Sequence, residues 1–364
     1  MRKIEKAGAH PGPIGMRSSP RSLLLRRVPW EKEGKEHMIL RRCFGTAAAM
    51  LLLSTAVAQA ADYRLTIAFD KTNPATPLIG EAFARHLETA SKGRMKIQIN
   101  GPETVPSFEQ LQPVAAGVFD FGLTTGGYHA GTITAATTLD GMTADLETLR
   151  KVGIIDEIDK RYQRMGLKIA AVPYMTSDVY QIILRDPVGP SGDLKGRKLR
   201  ATPQYRPILQ LLGAGEVVMP NAETYTALEK GVVDGAAWTS IGILTAKFYE
   251  VNKYLLRPTF GAGHLLVLMN LNRWNGLSAE DRKVVEDAGR AVEKSWAAEV
   301  PRMMREEEAT LVKDHGMKVS RMGEAFAGKV ESVAAEGAWT LAASRDPRGV
   351  AELRKIAQEK GVSK

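Results

Sequence analysis

The sequence predicts an α/β protein with two lobes, and three patterns support this prediction. A strand, a helix and a second strand follow one another within residues 63–99, which is the order of a parallel α/β unit. Another series of strands and helices begins near Leu167. Residues 278–315 then show one long helical pattern, which at about 1.5 Å per residue is roughly 55 Å long and can touch both lobes.

The first series is predicted to contain three strands and two helices. Residues 63–69 alternate with period two, as a half-buried strand does. Apolar residues recur at helical spacing from Leu78 to Ser91, and a Lys-Gly pair ends that helix. The other predicted elements are a strand at 95–99, a helix at 110–117 and a strand at 118–123. The loop 124–127 follows the last strand, at the strand end where open α/β sheets bind ligands.

The second series follows the same alternation. Its predicted strands are 168–172, 179–184, 197–201 and 232–238, and its predicted helices are 208–212 and 223–230. In the long helix after this series, Ser278 with Asp281 forms an N-cap pattern, and Pro301 predicts a kink.

The predicted division of the chain places residues 1–60 outside the lobes. Residues 61–177 with 266–305 are expected to form lobe I, and residues 178–265 with 306–364 are expected to form lobe II. The long helix would therefore begin in lobe I and end in lobe II.

The first sixty residues are predicted to be an unstructured extension followed by a signal peptide. Two arginines, Arg41 and Arg42, precede a short apolar stretch, and small residues at 58 and 60 suit a signal peptidase, so we expect cleavage after Ala60. The chain before Met38 is basic and unpatterned, which makes Met38 a better translation start than Met1. The arginine pair fits either an ordinary basic leader or twin-arginine export.

The charge of the chain lies mainly in this leader. The formal net charge is +9, but residues 1–60 hold 11 basic and 4 acidic side chains, which leaves 39 and 37 for the rest. A nucleic-acid partner therefore loses its main support, and we expect none.

The residues that carry common enzyme chemistry are few. The one cysteine, Cys43, lies in the leader, so the exported chain is expected to have no disulfide, thiolate metal site or cysteine nucleophile. The four later histidines define no ligand set, and the G-x-S-x-G, H-E-x-x-H and P-loop motifs do not occur in the sequence. We therefore expect no catalytic residues, no metal and no cofactor.

A run of about forty residues in the second series carries a distinctive pattern. It consists of residues 194–203, 212–214, 219–220, 223–228 and 231–235. It resembles the solute receptors of tripartite ATP-independent periplasmic (TRAP) transporters, the DctP-like family, whose pattern is K-G-x-K-[IL]-R-x-P, L-G-A, M-x-x-x-E-x-Y-x-A-L and G-x-V-D-G. The proline comes one position later here, at Pro203. Weaker similarity extends over most of the chain after the leader.

The resemblance implies a periplasmic-binding-protein-like architecture, in which crossing strands and a long helix join two lobes that close on a ligand in a central cleft. It also implies that the arginine of the R-x-P step, here Arg200, binds a ligand carboxylate through two parallel hydrogen bonds. A guanidinium suits this role because its planar paired donors match a carboxylate. The alternative is a solvated arginine at a strand end, like Arg197.

Other family positions map onto this chain with differences. Tyr180 stands near a second cation of the family's sialic-acid receptors, and Trp238 replaces an asparagine after the V-D-G step. These differences imply one ligand carboxylate on Arg200, with Tyr180 as a donor and Trp238 as an aromatic wall. A packed core position is the alternative for Trp238. Asn221 aligns with a pocket-facing position.

Three residues fall where the first lobe of the family contributes contacts, namely Asp70, Phe108 and Thr125. Asp70 would repel a second ligand carboxylate. It therefore either accepts a hydrogen bond from a ligand hydroxyl or amine, or caps its own loop.

The expected function follows from the leader and the resemblance. The protein is expected to be a monomeric periplasmic receptor that binds a small organic carboxylate and delivers it to the membrane subunits of a TRAP transporter. A C4-dicarboxylate and a monocarboxylate with an apolar or aromatic body both fit. The alternatives are a secreted enzyme on a similar two-lobed fold and an ABC-type receptor.

Overall fold

A computed structural model of the protein describes residues 61–363. The predicted leader, with Met38, Cys43 and the cleavage point after Ala60, lies outside the described residues. Within the described part, no helix is both long enough and apolar enough to cross a membrane.

Strands and helices alternate along most of the described chain. The strands are β1 (Ala61–Ile67), β2 (Met95–Asn100), β3 (Phe121–Thr124), β4 (Leu167–Ala171), β5 (Tyr174–Met175), β6 (Tyr180–Leu184), β7 (Lys198–Ala201), β8 (Gly215–Val218), β9 (Gly235–Thr239), β10 (Tyr254–Phe260), β11 (Gly263–His264), β12 (Leu266–Asn270) and β13 (Lys318–Arg321). The helices are α1 (Ala82–Ala90), α2 (Leu111–Ala115), α3 (Leu146–Lys151), α4 (Ile154–Gln163), α5 (Arg206–Leu212), α6 (Thr224–Glu229), α7 (Leu271–Gly276), α8 (Ala279–Lys313), α9 (Glu324–Ala327), α10 (Val330–Ala343) and α11 (Pro347–Glu359).

The first lobe is built on a five-stranded sheet in the order β2-β1-β3-β12-β4. β1 runs parallel to β2 and β3, whereas β12 is antiparallel to both β3 and β4. Apolar side chains of α1 and α8 pack on one face of the sheet. Those of α2 and α4 pack on the other, so the sheet is buried on both sides.

The second lobe is built on a six-stranded sheet in the order β13-β10-β6-β9-β7-β8. β7 is parallel to its neighbours β8 and β9, whereas β6 is antiparallel to β9 and β10. Buried residues of α5 and the start of α10 cover one face of this sheet. Residues of α6 and the end of α8 cover the other face.

Two extended segments and one helix connect the lobes. Between β4 and β6 lies β5, which pairs antiparallel with β11, between β10 and β12. The long helix α8 begins with Ser278, whose hydroxyl accepts a hydrogen bond from the Asp281 N–H at 3.0 Å, as predicted. It continues through Pro301 and buries Val292 in the first lobe and Leu311 in the second.

The packing of the C-terminal segment corrects part of the predicted division. Residues 306–364 were expected to lie in lobe II, and β13 does join the second sheet. α11, however, packs in the first-lobe core through Leu353 and Ala357, and the Trp339 indole of α10 donates to the Gly141 carbonyl at 3.1 Å. The chain therefore returns to the first lobe before it ends, because α11 has an apolar stripe that this core covers.

Candidate functional site

A cavity lies between the two lobes, next to the paired strands β5 and β11. Its free volume is about 80 Å³. The first lobe and α8 contribute Phe69, Thr125, Tyr128, Trp296 and Val300, and the second lobe contributes Tyr180, Arg200, Gln204, Tyr205, Asn221 and Trp238. His264 of β11 also lines it. Both lobes thus supply walls, as expected of a site that closes on a small ligand.

Arg200 is the most buried large side chain of the cavity, with 1% exposure. It lies in β7, which is paired on both sides, by β8 and β9. Its Nε and Nη2 donate to the Met219 carbonyl at 3.2 and 3.0 Å, and its Nη1 donates to the Ala237 carbonyl at 3.2 Å. Nη2 also donates to Asn221 Oδ1 at 2.7 Å. These bonds fix the orientation of the guanidinium.

The charge of Arg200 has no acidic partner among the described residues. All four of its hydrogen bonds go to neutral oxygens. Burial lowers the pKa of Arg200, and the nearby Tyr128 and Tyr205 oppose this shift. A buried cation without a counter-ion is costly. The site therefore has the electrostatics of an anion-binding pocket.

The hydrogen bonds of Arg200 also change the expected geometry of anion binding. A guanidinium has five N–H donors, and the four bonds described above leave one, on Nη1. The resemblance implied two parallel hydrogen bonds from the arginine to a carboxylate. In this structure one Arg200 N–H lies outside these four bonds, so a carboxylate needs further donors from other residues.

Trp238 and Tyr180 line the cavity beside the arginine. The guanidinium carbon of Arg200 lies 4.8 Å from the centre of the Trp238 ring, within cation–π range. Trp238 also packs edge-on against Phe248, so it is at once a cavity wall and a core residue. The Tyr180 ring packs edge-on against Tyr205 at 4.8 Å, and burial raises the pKa of Tyr180, which keeps its hydroxyl protonated.

Asn221 and Thr125 reach the cavity from opposite lobes. Asn221 begins a short 3₁₀ turn after β8, and its side chain orients Arg200, as described above. Thr125 follows β3, and its hydroxyl donates to the His264 carbonyl at 3.3 Å. Of the predicted site residues, Arg200, Tyr180, Trp238, Asn221 and Thr125 lie around one cavity.

Asp70 and Phe108 do not line this cavity, but Asp70 lines an adjoining one that shares Asn221 and Trp238 with it. Asp70 caps its own loop, because its Oδ1 accepts from the Thr72 N–H at 2.8 Å and the Asn73 N–H at 3.2 Å. Phe108 packs edge-on behind Tyr128, with ring centres 4.8 Å apart. Its contribution to the cavity is therefore indirect.

Several cavity residues were not predicted. Tyr128 and Gln204 lie in 3₁₀ turns, after β3 and β7 respectively, and line the cavity from opposite lobes. His264 is held on one side by Asp140, with Nδ1 2.6 Å from Oδ1, and on the other by the Gly126 N–H, 3.2 Å from Nε2. One sequence feature could have predicted Tyr128 as a cavity residue. It directly follows the loop 124–127, which lies at a strand end where α/β sheets bind ligands.

Within the described part of the chain, no group of three or more His, Cys, Asp or Glu side chains is arranged to hold a metal ion.

A two-lobed α/β fold that encloses a cavity around a buried cation suits the binding of a small anion. The chain matches the family model for "Bacterial extracellular solute-binding protein, family 7" (DctP) over residues 70–336. It belongs to this family, and the predicted resemblance is confirmed.

Curated relatives support the same family at moderate identity. The 2,3-diketo-L-gulonate-binding periplasmic protein YiaO of Escherichia coli is 28% identical over 205 residues, which are 53% of this chain and 61% of that protein. The monocarboxylate 2-oxoacid-binding periplasmic protein of Nostoc sp. is 27% identical over 247 residues, covering 62% of this chain and 64% of that protein. The matched segment is thus less than two thirds of either relative.

Solved structures confirm the predicted fold class. DctP7 of Bordetella pertussis, an extracytoplasmic solute receptor binding pyroglutamic acid, matches with a TM-score of 0.71 at 19% identity, over 82% of this chain and 100% of that chain. A TRAP periplasmic solute-binding protein of Desulfovibrio salexigens with bound orotic acid also gives a TM-score of 0.71, at 20% identity, over 82% of this chain and 98% of that chain.

Proposed function

We propose that this protein is the periplasmic receptor of a TRAP transporter, that it binds a small organic carboxylate in the cavity around Arg200, and that it delivers the acid to the transporter's membrane subunits. One observation carries the proposal. Arg200 is 1% exposed, and all its hydrogen bonds go to neutral oxygens. Family membership supports the receptor class. Export through the predicted signal peptide, cleaved after Ala60, belongs to the same proposal.

The number of charges around the cavity favours an acid with one carboxylate. Among the described residues that line the cavity, Arg200 is the one arginine or lysine. His264 lines it too, but its Nδ1 is engaged by the Asp140 carboxylate. A dicarboxylate would bring a second negative charge into a site with no second cation to receive it. We therefore propose a monocarboxylate rather than a C4-dicarboxylate.

The rest of the cavity favours an apolar or aromatic body. Its wall includes Phe69, Met175, Trp238, Trp296 and Val300. A polyhydroxylated acid needs a polar partner for each buried hydroxyl, and most of the surface of this wall is apolar although polar side chains also line it. Burial of an apolar body against this wall is favourable by about 25 cal/mol per Å².

Binding is proposed to favour the closed arrangement of the lobes. The acid contacts Arg200 in the second lobe and first-lobe groups such as Thr125, so it has more partners when the lobes are together. The membrane subunits would then recognise the closed, loaded receptor. This role requires no chemical change of the acid.

A panel of acids tests the proposal. The singly charged acids are pyruvate, 2-oxoisovalerate, L-pyroglutamate and orotate, and the doubly charged acids are succinate and fumarate. At 100 times its dissociation constant, an acid that binds should add about 2.7 kcal/mol to the free energy of unfolding. We expect this from singly charged acids, measured by thermal shift, and we expect mass spectrometry to recover each acid unchanged. Conversion of an acid would contradict the receptor function, and preference for succinate or fumarate would contradict the charge argument.

A further inference from the structure

Tyr128 is held in the first-lobe wall of the cavity by aromatic packing. It lies in the 3₁₀ turn Gly126–His129, directly after β3, and is 8% exposed. Its ring centre lies 5.8 Å from that of Phe69 and 4.8 Å from that of Phe108. Packing of these rings limits the movement of Tyr128, so its hydroxyl has a defined position at the cavity.

The Tyr128 hydroxyl is buried and forms no hydrogen bond of normal geometry with the described residues, although it interacts with the Arg200 guanidinium and the Asn221 backbone. Such groups are uncommon in folded proteins, because a buried hydroxyl without a partner loses its bonds to water and gains nothing in return. Burial raises the pKa of Tyr128, against the opposing effect of Arg200. The hydroxyl therefore keeps its proton at neutral pH and is available as a donor.

The position of this hydroxyl complements that of Arg200. Tyr128 and Arg200 line the same cavity, and the two side chains interact electrostatically there. Four of the five Arg200 N–H groups are occupied by protein oxygens, whereas a carboxylate has two oxygens that each accept hydrogen bonds. An anion bound at Arg200 therefore needs a second donor close by.

We propose that Tyr128 is that second donor, so that one ligand carboxylate accepts hydrogen bonds from Arg200 of the second lobe and from Tyr128 of the first. This inference rests on the proposed function and assigns Tyr128 a binding role in it. Because the two donors come from opposite lobes, the carboxylate itself stabilises the closed state.

The contact between the neighbouring residues supports this arrangement. Gly127 of the first lobe lies against Gln204 of the second, and a Cβ atom on Gly127 would overlap the Gln204 side chain. The two turns therefore meet directly beside the hydroxyl and the guanidinium. Tyr128 comes within reach of an anion on Arg200 only when these turns are together.

A second unpartnered donor at the cavity, the Trp238 indole N–H, does not fill the same role. Trp238 lies in β9, in the same sheet as Arg200, so a bond from it to the ligand connects nothing across the cleft. Tyr128 is the donor whose loss should weaken closure.

The test compares Tyr128→Phe with a matched variant, Tyr162→Phe. The Tyr162 hydroxyl is also buried without a partner, but it lies in the first-lobe core, away from the cavity. Affinities and rates for pyruvate, 2-oxoisovalerate, L-pyroglutamate and orotate are measured with wild type, both variants and Arg200→Met. For the acids that bind wild type, we expect Tyr128→Phe to raise the dissociation constant about tenfold or more, because hydrogen bonds to charged groups are the stronger ones.

The increase should come from faster dissociation, because Tyr128 acts after closure. Without acid, the thermal midpoint of Tyr128→Phe should equal or exceed that of wild type, since the variant removes an unpaired buried hydroxyl. Tyr162→Phe should leave the dissociation constant unchanged. A Tyr128→Phe affinity within twofold of wild type, with binding lost in Arg200→Met, would overturn the role of Tyr128 alone. Retained binding in Arg200→Met would overturn the proposed function as well.

Discussion

Two arginines of the second-lobe sheet have similar surroundings and differ in one partner. Arg257 in β10 donates to the Gln181 side-chain oxygen at 2.8 Å, much as Arg200 in β7 donates to Asn221 at 2.7 Å. Arg257 also forms an ion pair with Glu308 of α8 at 2.8 Å. Arg200 is the more buried of the two and has no such ion pair among the described residues.

Under the proposed function, Arg257 carries a structural charge and Arg200 a ligand-binding one. The ion pair of Arg257 attaches α8 to the second lobe, and its net charge is balanced within the fold. Arg200 is held in place by carbonyl oxygens and Asn221, which orient the guanidinium without neutralising it. The missing negative charge is therefore expected from a ligand.

His129 extends the comparison to a buried base that can be neutral. A histidine can lose its proton on burial, whereas an arginine stays charged. Burial lowers the pKa of His129 to about 4, and its Nε2 lies 2.8 Å from the Thr124 hydroxyl. An unfolded histidine has a pKa of about 6.5, so the unfolded state binds the proton first as pH falls. The folded state should therefore lose up to about 3 kcal/mol between pH 6.5 and pH 4 through this residue.

Urea unfolding of wild type and His129→Gln at pH 7, 5 and 4 measures this contribution. Other titrating groups are common to both proteins and cancel in the difference. The free energy of unfolding of wild type, relative to that of the variant, should decrease as pH falls. Parallel pH profiles would show that His129 does not titrate in this way.

Arg257→Ala tests the structural side of the comparison, with a smaller expected effect. The variant removes an ion pair to a partly exposed Glu308 and leaves the buried Gln181 oxygen without its donor. We expect a loss of about 1 kcal/mol in the free energy of unfolding, measured in urea. Binding of the panel acids should not change.

Lys283→Ala is the matched control, because Lys283 forms an exposed pair with Asp287 on one helix face. Its effect on stability should be smaller than that of Arg257→Ala, because an exposed ion pair contributes little. Loss of acid binding in Arg257→Ala would remove the distinction between the two arginines.

Local patterns predicted much of the fold, and long-range pairing accounts for what was missed. β1, β2 and β6 lie where the alternating or apolar runs place them. β12 was not predicted, because its position between β3 and β4 depends on pairing with strands about 100 to 150 residues away along the chain. The return of α11 to the first lobe likewise depends on tertiary packing that local patterns do not show.

The residues of the candidate site also divide into those that local sequence predicts and those that depend on long-range packing. Arg200 was found from a motif, since its strand and the loops that orient it lie within forty residues. Asp70 was predicted to be either a ligand contact or a cap of its own loop, and local N–H groups donate to its Oδ1, as a cap requires. Tyr128 was missed because its relation to Arg200 arises only when the two lobes come together.

The claim that Arg200 serves a ligand rather than the fold is tested most directly by the unfolding free energies of wild type, Arg200→Met and Arg257→Ala, with and without a saturating monocarboxylate. At 100 times the dissociation constant, wild type and Arg257→Ala should each gain about 2.7 kcal/mol from the acid, and Arg200→Met should gain none. Without acid, Arg200→Met removes an unneutralised buried charge but also leaves the Met219, Ala237 and Asn221 oxygens without this donor, so the test uses the gain with acid and not the stability of the free protein. An Arg200→Met protein that still gains stability from the acid would contradict the account.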